Sequence, residues 1–458
     1  MSAPIFHLTT FGCQMNVHDS QWLSQSLEGL GWNQGTENDA GVLILNTCSV
    51  REKPEQKVYS HLGRLRDAWL RNPELLVAVG GCVAQQVGEA FFARFPYVRL
   101  VFGPDGLPMV PGALARLTRE PDLRLSLLDF SESFPERATA LPANLGHGAQ
   151  RQAYVTIMQG CDNFCAYCIV PLTRGRQRSR SREAILTECR ELIDRGAHEI
   201  TLLGQNVNSY GLDAQDKAAR QGDPGFPALL DAVAALPGLR RLHFTTSHPK
   251  DLSLETIAAF GRHDTLCPHL HLPMQSGSNA VLQAMGRKYT IEYYLDLVMN
   301  LRRVRPEIAL TTDLIVGFPG ETEEDFAATL YAMRTVGFAG SFSFVYSDRP
   351  GTRAATMEGK LDKAVKAERL KVLQDLQTEL SEDWLHSRVG RRCEVLVEGE
   401  SKRSSRGLPS CRGRDEFGQT VNFSMPSGLP QELIGNIVPV RIQEAKKHSL
   451  WGCVEVVG

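Results

Sequence analysis

Through most of this 458-residue chain, short apolar runs of strand length alternate with longer stretches of helical spacing. Parallel strands need a crossover of a dozen or more residues, usually a helix, so this alternation restricts the fold to a parallel α/β class. Between residue 5 and about residue 128 the runs are IFHLTTFG, GVLILNT and ELLVAVGG, with the amphipathic segment 52 to 70 among the helical stretches. A segment rich in Pro, Ala, Gly and polar residues, 131 to 150, breaks the pattern and reads as a linker. The alternation then resumes. AYVTIMQG, HEITLLGQ, RRLHFTTS, PHLHLPMQ, ALTTDLIVGF and GSFSFVYS are six further strand candidates, which predict an open or partial (βα)6 barrel.

Local signals place helices within the barrel. Ile185, Leu186, Cys189, Leu192 and Ile193 form an apolar stripe that stops at Gly196, and Thr322 and Asp325 have the spacing of a capping box. Leu370, Leu373, Leu376, Leu380 and Trp384 predict a last helix packed on the barrel. After it the period changes to two. CEVLVEG, QTVNFSMP, NIVPVRIQEA and WGCVEVV predict a small closed β-barrel of the OB type. The expected domains are therefore 1–130, a parallel α/β domain; 131–150, a linker; 151–384, the partial barrel; and 385–458, the β-barrel.

The first residues lack a basic leader and apolar core, and no run of about 18 apolar residues occurs, so a soluble cytoplasmic protein without membrane association is expected. In that setting the eleven cysteines point to metal ligation or catalysis rather than to disulfides. Cys161, Cys165 and Cys168 lie in GCDNFCAYC, directly after AYVTIMQ, and so in a loop beyond the carboxyl end of a strand, where α/β sheets bind ligands. Three thiolates on a four-iron cluster leave one iron open, as a catalytic site requires. A zinc knuckle is the competing reading, but zinc wants a fourth Cys or His at similar spacing.

Cys13, Cys48 and Cys82 each follow one of the first three apolar runs, at intervals of 35 and 34 residues. Neighbouring parallel strands bring their carboxyl ends together, so these three converge as well and predict a second iron-sulfur cluster. Buried apolar cysteines are the alternative. Cys189, Cys267, Cys393, Cys411 and Cys453 share no such register and read as structural. Other strand ends carry polar groups toward the same barrel face: Gln205 and Asn206, Ser247 and His248, Gln275 and Ser276, and the loop GFPGE with Gly317 and Gly320. Such residues either touch a cofactor or cap the next helix.

GCDNFCAYCIVP resembles the defining loop of the radical S-adenosylmethionine superfamily. That resemblance implies that S-adenosylmethionine fills the open iron position and that the reduced cluster releases a deoxyadenosyl radical. It also implies methionyl, ribose and adenine contacts among the strand-end residues just named. With the second triad and a barrel behind it, the whole chain is similar to the methylthiotransferase family. FGCQMNVHDS, NTCSVREKPEQKV, GGCVAQQ, LLGQNVNSYG, HLHLPMQSGSNAVLQAMGRKYT and FSFVYSDRPGTRAA look most like its branch acting on N6-isopentenyladenosine in tRNA. Gln14, Met15 and Asn16 argue against the ribosomal-protein branch.

The resemblance implies two [4Fe-4S] clusters and two roles for S-adenosylmethionine. One molecule methylates a sulfur carried at the second cluster, and another yields the radical that abstracts hydrogen from C2 of the adenine. The sulfur comes from the auxiliary cluster or from a sulfide attached to it. Implied partners are tRNA with isopentenyladenosine in its anticodon loop, an electron donor such as flavodoxin or ferredoxin, and a sulfur source; a monomer is expected. Alternatives are a sibling methylthiotransferase on threonylcarbamoyladenosine or a ribosomal-protein aspartate, and a non-catalytic iron-sulfur RNA-binding protein.

With 50 basic and 52 acidic residues, RNA has to be met by a local surface. RGRQRSRSR, from Arg174 to Arg182, puts five arginines beside the cluster loop and predicts phosphate contact. From His386 to Gly458 there are eleven Lys or Arg against eight Asp or Glu, with Lys402, Arg403, Arg406, Arg412 and Arg414 expected between two strands. This segment resembles the TRAM domain, an RNA-binding barrel. Phe417 is a candidate for stacking on a base, whereas Phe423 lies in a strand and is expected in the core.

Overall fold

Leu43, Leu45, Val77 and Val79 pack on one face of a parallel sheet, and Val42, Ile44, Leu76 and Ala78 on the other. Helices cover both faces, so the strands Val42–Thr47 and Leu76–Gly81 are buried along their whole length, which is why they read as unbroken apolar runs. Each of the Leu, Val and Ile side chains contributes about 1.5–3 kcal/mol by leaving water. The sheet has the order Asn33–Gln34, Ile5–Thr10, Val42–Thr47, Leu76–Gly81, Val98–Phe102, Leu125–Leu127, with every pair parallel. This is a computed structural model, which describes residues 3–49, 52–135, 151–213, 225–401, 410–425 and 433–455. The last two strands extend the sheet beyond the three runs that the sequence marks.

The partial barrel has the six parallel strands expected, in two groups of three. Arg241–Phe244, Glu199–Leu203 and Gln152–Thr156 form one group, and His269–His271, Ala309–Val316 and Gly340–Val345 the other. A parallel bridge between Leu242 and Leu266 joins them. In the helix Arg182–Asp194, Ile185, Cys189 and Leu192 face the core, and Gly196 at φ +98° ends the stripe. The helix Glu323–Val336 opens on the foreseen capping box: Thr322 Oγ1 accepts from Asp325 N at 3.2 Å, and Asp325 Oδ2 from Thr322 N at 2.9 Å. Thr322→Ala should cost about 1 kcal/mol and speed amide exchange in that first turn; unchanged exchange would show that the cap is redundant.

The helix Lys363–His386 buries Leu373 and Leu376 in the barrel core, with Leu370 and Leu380 packed against it, and then hands Trp384 and Leu385 to the next core. That core belongs to a closed five-stranded barrel ordered Arg392–Glu400, Ser410–Asp415, Thr420–Ser424, Ser449–Val454, Ile437–Lys446. Arg412 and Arg414, expected in a connection between two strands, lie instead on the outer face of the strand Ser410–Asp415. Their alternation with Cys411, Gly413 and Asp415 is a strand period, masked because the inward residues are not large and apolar. Among the described residues, no helix is long and apolar enough to cross a membrane.

Candidate active site

Thr47 pairs with Gly81, so Cys48 and Cys82, the next residue on each strand, leave the sheet side by side. Cys13 arrives three residues beyond the neighbouring strand, where Thr10 pairs with Asn46. Glycine is required at two of these exits. Gly12 has φ +122° and a Cβ there would stand 2.1 Å from Cys48 Cβ; Gly81 has φ +88° and its Cβ would stand 2.2 Å from Thr47 O. Cys48 and Cys82 are buried and Cys13 is exposed. A hydrogen bond from Cys48 pulls the Cys13 thiol down to about 6, and the charge of Arg174 adds to the pull. Three soft donors on adjacent strand ends, one of them with its thiol pulled toward ionisation, fit an iron-sulfur cluster rather than a hard cation.

The second set lies in the loop after Met158–Gln159, a short strand whose pairing with Arg178–Ser179 holds the two ends of the loop together. Gly160 N donates to Gln205 Oε1 at 2.5 Å, Cys168 N to Cys165 O at 3.0 Å, and Ala166 N to Met285 O at 2.8 Å. Asn163 Nδ2 donates to Asp251 Oδ2 at 3.2 Å, and the buried Arg287 points Nη1 at Cys165 Sγ, 3.6 Å away. Burial pushes the Cys161 thiol up to about 11 and the Cys168 thiol up to about 12, with the neighbouring thiols adding to the rise. A bound cation inverts that balance, so three neighbouring thiols that raise one another in one loop suit a metal cluster.

Beyond the loop, buried polar atoms without hydrogen-bond partners line up along the carboxyl ends of successive strands: Asn206 Oδ1, Ser247 Oγ, His248 Nε2 and Gln275 Oε1. Each would cost about 1–3 kcal/mol unless a polar ligand satisfies it. Asn206 Nδ2 is held by Asp251 Oδ2 at 2.7 Å. His248 Nδ1 accepts from Lys250 N, which leaves Nε2 as the N–H, and burial together with Arg287 pushes the ring down to about 2, so it stays neutral. Gln275 sits at φ +69°, clamped by main-chain bonds to Asp313 and Ile315. Four unsatisfied polar atoms on successive strand ends are groups that a polar ligand would satisfy.

The other strand-end candidates make contacts within the protein. Gln205 joins Gly160 to Met15, with Nε2 2.5 Å from the Met15 sulfur. Ser276 Oγ accepts from Ser278 N and lies 3.2 Å from Thr329 Oγ1. Gly317 N donates to Glu321 Oε2 and its missing Cβ faces Lys366, while Gly320 N donates to Gly359 O at 2.9 Å. Sequence reasoning passed over Arg287, Asp251 and Asp105. Asp251 lies just beyond the run RRLHFTTS, whereas Arg287 comes after the helix Asn279–Ala284 and carries no local signal.

The arginine block is where the structure departs most from expectation. Arg174 is 3 % exposed and donates through Nη2 to Asn16 Oδ1 at 3.1 Å and Asp19 Oδ2 at 3.4 Å. Arg178 makes a two-pronged pair with Asp105, at 2.6 and 3.1 Å, and Arg180 pairs with Glu188 at 2.6 Å. All five arginines thus bond within the chain, Arg176 to Asp162 and Arg182 through Nη2 to Ala228 O at 3.3 Å, and two of them, Arg174 and Arg178, bind the first domain to the barrel instead of meeting phosphate. Thr156 and His18 contact at 3.1 Å, and Gln14 hydrogen-bonds Tyr154. The Gln-Met-Asn run after Cys13 is therefore domain contact: Gln14 reaches Tyr154, Met15 reaches Gln205 and Asn16 reaches Arg174.

Arg176 is exposed, paired with Asp162 at 2.7 Å and stacked over the exposed Phe164, 5.2 Å from its centroid. Arg412 is exposed, whereas Arg414 pairs with Glu398 at 3.0 Å. Phe417 is buried under the Arg388 guanidinium, 3.8 Å from the ring centre, and is not free to stack on a base; Phe423 is in the core. Lys402, Arg403 and Arg406 lie outside the described residues.

Three family models match the chain: the radical SAM superfamily over residues 155–331, the "Uncharacterized protein family UPF0004" over 5–103, and the TRAM domain over 386–454. A tRNA-2-methylthio-N(6)-dimethylallyladenosine synthase of Nitratidesulfovibrio vulgaris (strain Hildenborough) is 57% identical over 446 residues, covering 97% of each chain. One of Carboxydothermus hydrogenoformans is 42% identical over 455 residues, covering 99% of each. Among solved structures, the radical S-adenosylmethionine methyltransferase TsrM of Kitasatospora setae, with cobalamin and a [4Fe-4S] cluster bound, aligns with a TM-score of 0.55 at 16% identity, covering 77% of each chain. That likeness is one of fold.

Proposed function

Because the chain belongs to the tRNA-2-methylthio-N6-dimethylallyladenosine synthase family of radical S-adenosylmethionine enzymes, we propose that it places a methylthio group on C2 of N6-dimethylallyl (isopentenyl) adenosine in tRNA, using two clusters. Cys161, Cys165 and Cys168 would hold the [4Fe-4S] cluster that binds S-adenosylmethionine, and Cys13, Cys48 and Cys82 a second one. When bound, the first supplies the electron that splits S-adenosylmethionine into methionine and a deoxyadenosyl radical. The observation that carries the reading is the placement of two three-cysteine sets at carboxyl strand ends of two domains, whose mutual contacts start beside both sets.

The chain's own residues would then divide the work. Asn206, Ser247, His248 and Gln275 offer open acceptors and donors for the methionyl, ribose and adenine groups, with neutral His248 donating from Nε2. Arg287 holds the Cys165 sulfur, and Asp251 ties the cluster loop to Asn206. Gln205 spans the domains, fixing the loop against Met15. We assign residues 1–130 to the auxiliary-cluster domain, 131–150 to a linker, 151–384 to the radical domain and 385–458 to RNA binding. In that last segment eleven basic against eight acidic residues suit a phosphate backbone. Because a base in an anticodon loop is unpaired, presenting its C2 costs little.

The scheme requires an electron donor such as flavodoxin or ferredoxin and a source of sulfur, and we place the protein in the cytoplasm as a monomer. Nucleoside mass spectrometry of tRNA from cells with and without the chain tests the substrate. The 2-methylthio-isopentenyl nucleoside should disappear with the gene; an unchanged level, or loss of a threonylcarbamoyl derivative instead, removes this assignment. Anaerobically reconstituted protein should carry about eight irons, four per cluster.

A further inference from the structure

Arg174 is a buried charge beside the first triad that takes no part in that chemistry. It ends the helix Val170–Arg174, which begins two positions after Cys168, yet its guanidinium lies in the site of the other domain. Nη2 is satisfied by Asn16 and Asp19, whereas Nη1 is buried without a hydrogen-bond partner. Burial opposes the charge, and Cys82, Asp19 and Cys13, in that order, sustain it, Cys82 also as a hydrogen-bond partner. An arginine cannot shed a proton to escape this position, so its buried N–H groups favour an anionic acceptor beside the first triad. Two of the three groups that sustain it are cysteines of the first triad.

We propose that Arg174 is a positioning residue for the auxiliary cluster: its Nη1 donates to a sulfur at the cluster held by Cys13, Cys48 and Cys82, and its charge raises that cluster's reduction potential. The inference rests on the reading that this triad carries a four-iron cluster. Such a cluster with three thiolates is anionic, and its potential responds to net charge, to hydrogen bonds on its sulfurs and to burial. A fixed cation favours the more negative, reduced form. The charge comes from the domain that holds the other cluster, so separating the domains would withdraw it.

The test uses the full-length chain with Cys161, Cys165 and Cys168 all replaced by Ala, which leaves only the first triad to bind iron. In that background Arg174 is kept, replaced by Gln, or replaced by Lys, and each protein is assayed for iron and titrated by electron paramagnetic resonance against a potential scale. About four irons are expected in all three. Arg174→Gln should move the midpoint to lower potential, and Arg174→Lys should fall between it and the parent. Equal midpoints at full iron content would overturn the role given to Arg174 while leaving the cluster in place. Loss of iron from both variants alike would assign Arg174 to domain architecture and overturn the proposal. Failure of the parent to bind iron would remove the cluster reading itself, and this inference with it.

Discussion

Cys165→Ala should abolish release of deoxyadenosine from S-adenosylmethionine, whereas Cys48→Ala should retain much of that release and lose thiolation altogether. The two cysteines sit in separate ligand sets on separate sheets, one in the loop after Met158–Gln159 and the other at the end of Val42–Thr47. Removing a direct ligand should cost more than the roughly 10–100-fold typical of a lost outer-shell partner, and should strike only the function of its own cluster. Deoxyadenosine measured by chromatography after anaerobic reduction, with thiolated product read by mass spectrometry from the same reaction, separates the two effects. Equal loss of deoxyadenosine in both variants would end the division of labour proposed for the triads.

The second large effect is on stability. Arg178 and Asp105 are almost wholly buried, at 5% and 1% side-chain exposure, and join in two hydrogen bonds. Asp105 also accepts from Gln159 and from Ser131 N, so its carboxylate is enclosed by donors from both sides of the domain contact. Arg178→Ala leaves that carboxylate buried without a counter-charge and should destabilise the docked protein by about 3–5 kcal/mol. Asp105→Ala should cost a similar amount for the mirror reason, and the double variant should cost clearly less than the sum. A urea-unfolding cycle measures this coupling, and strict additivity would show that the pair is not what holds the domains together.

The arginine block shows where sequence reasoning stops. RGRQRSRSR has the composition of a phosphate-binding surface, and composition carries no information about which residues will be buried. Its partners, Asn16, Asp19 and Asp105, lie 73 to 158 residues away, so nothing local announces them. The same holds for Arg287 beside Cys165, 122 residues distant, and for Gln205, which the sequence offers as a cofactor ligand and the fold turns into a bridge. The strand Ser410–Asp415 was missed for a different reason: its inward positions are small or polar, so period two had no hydrophobic contrast to display.

What the sequence determined alone is the part governed by nearest neighbours along the chain. Apolar runs of strand length, separated by helical crossovers, allow only parallel sheets, and a cysteine directly after each run must emerge at the ligand-binding edge. Cys13, Cys48 and Cys82 stand out in the sequence for that reason, and Cys161, Cys165 and Cys168 for their spacing within one loop. Tertiary structure alone decided which charges would face inward. A buried ion pair depends on a partner that becomes close only after two separately folded layers meet, and the strong electrostatics of Arg174 and Arg178 arise from exclusion of water at that contact.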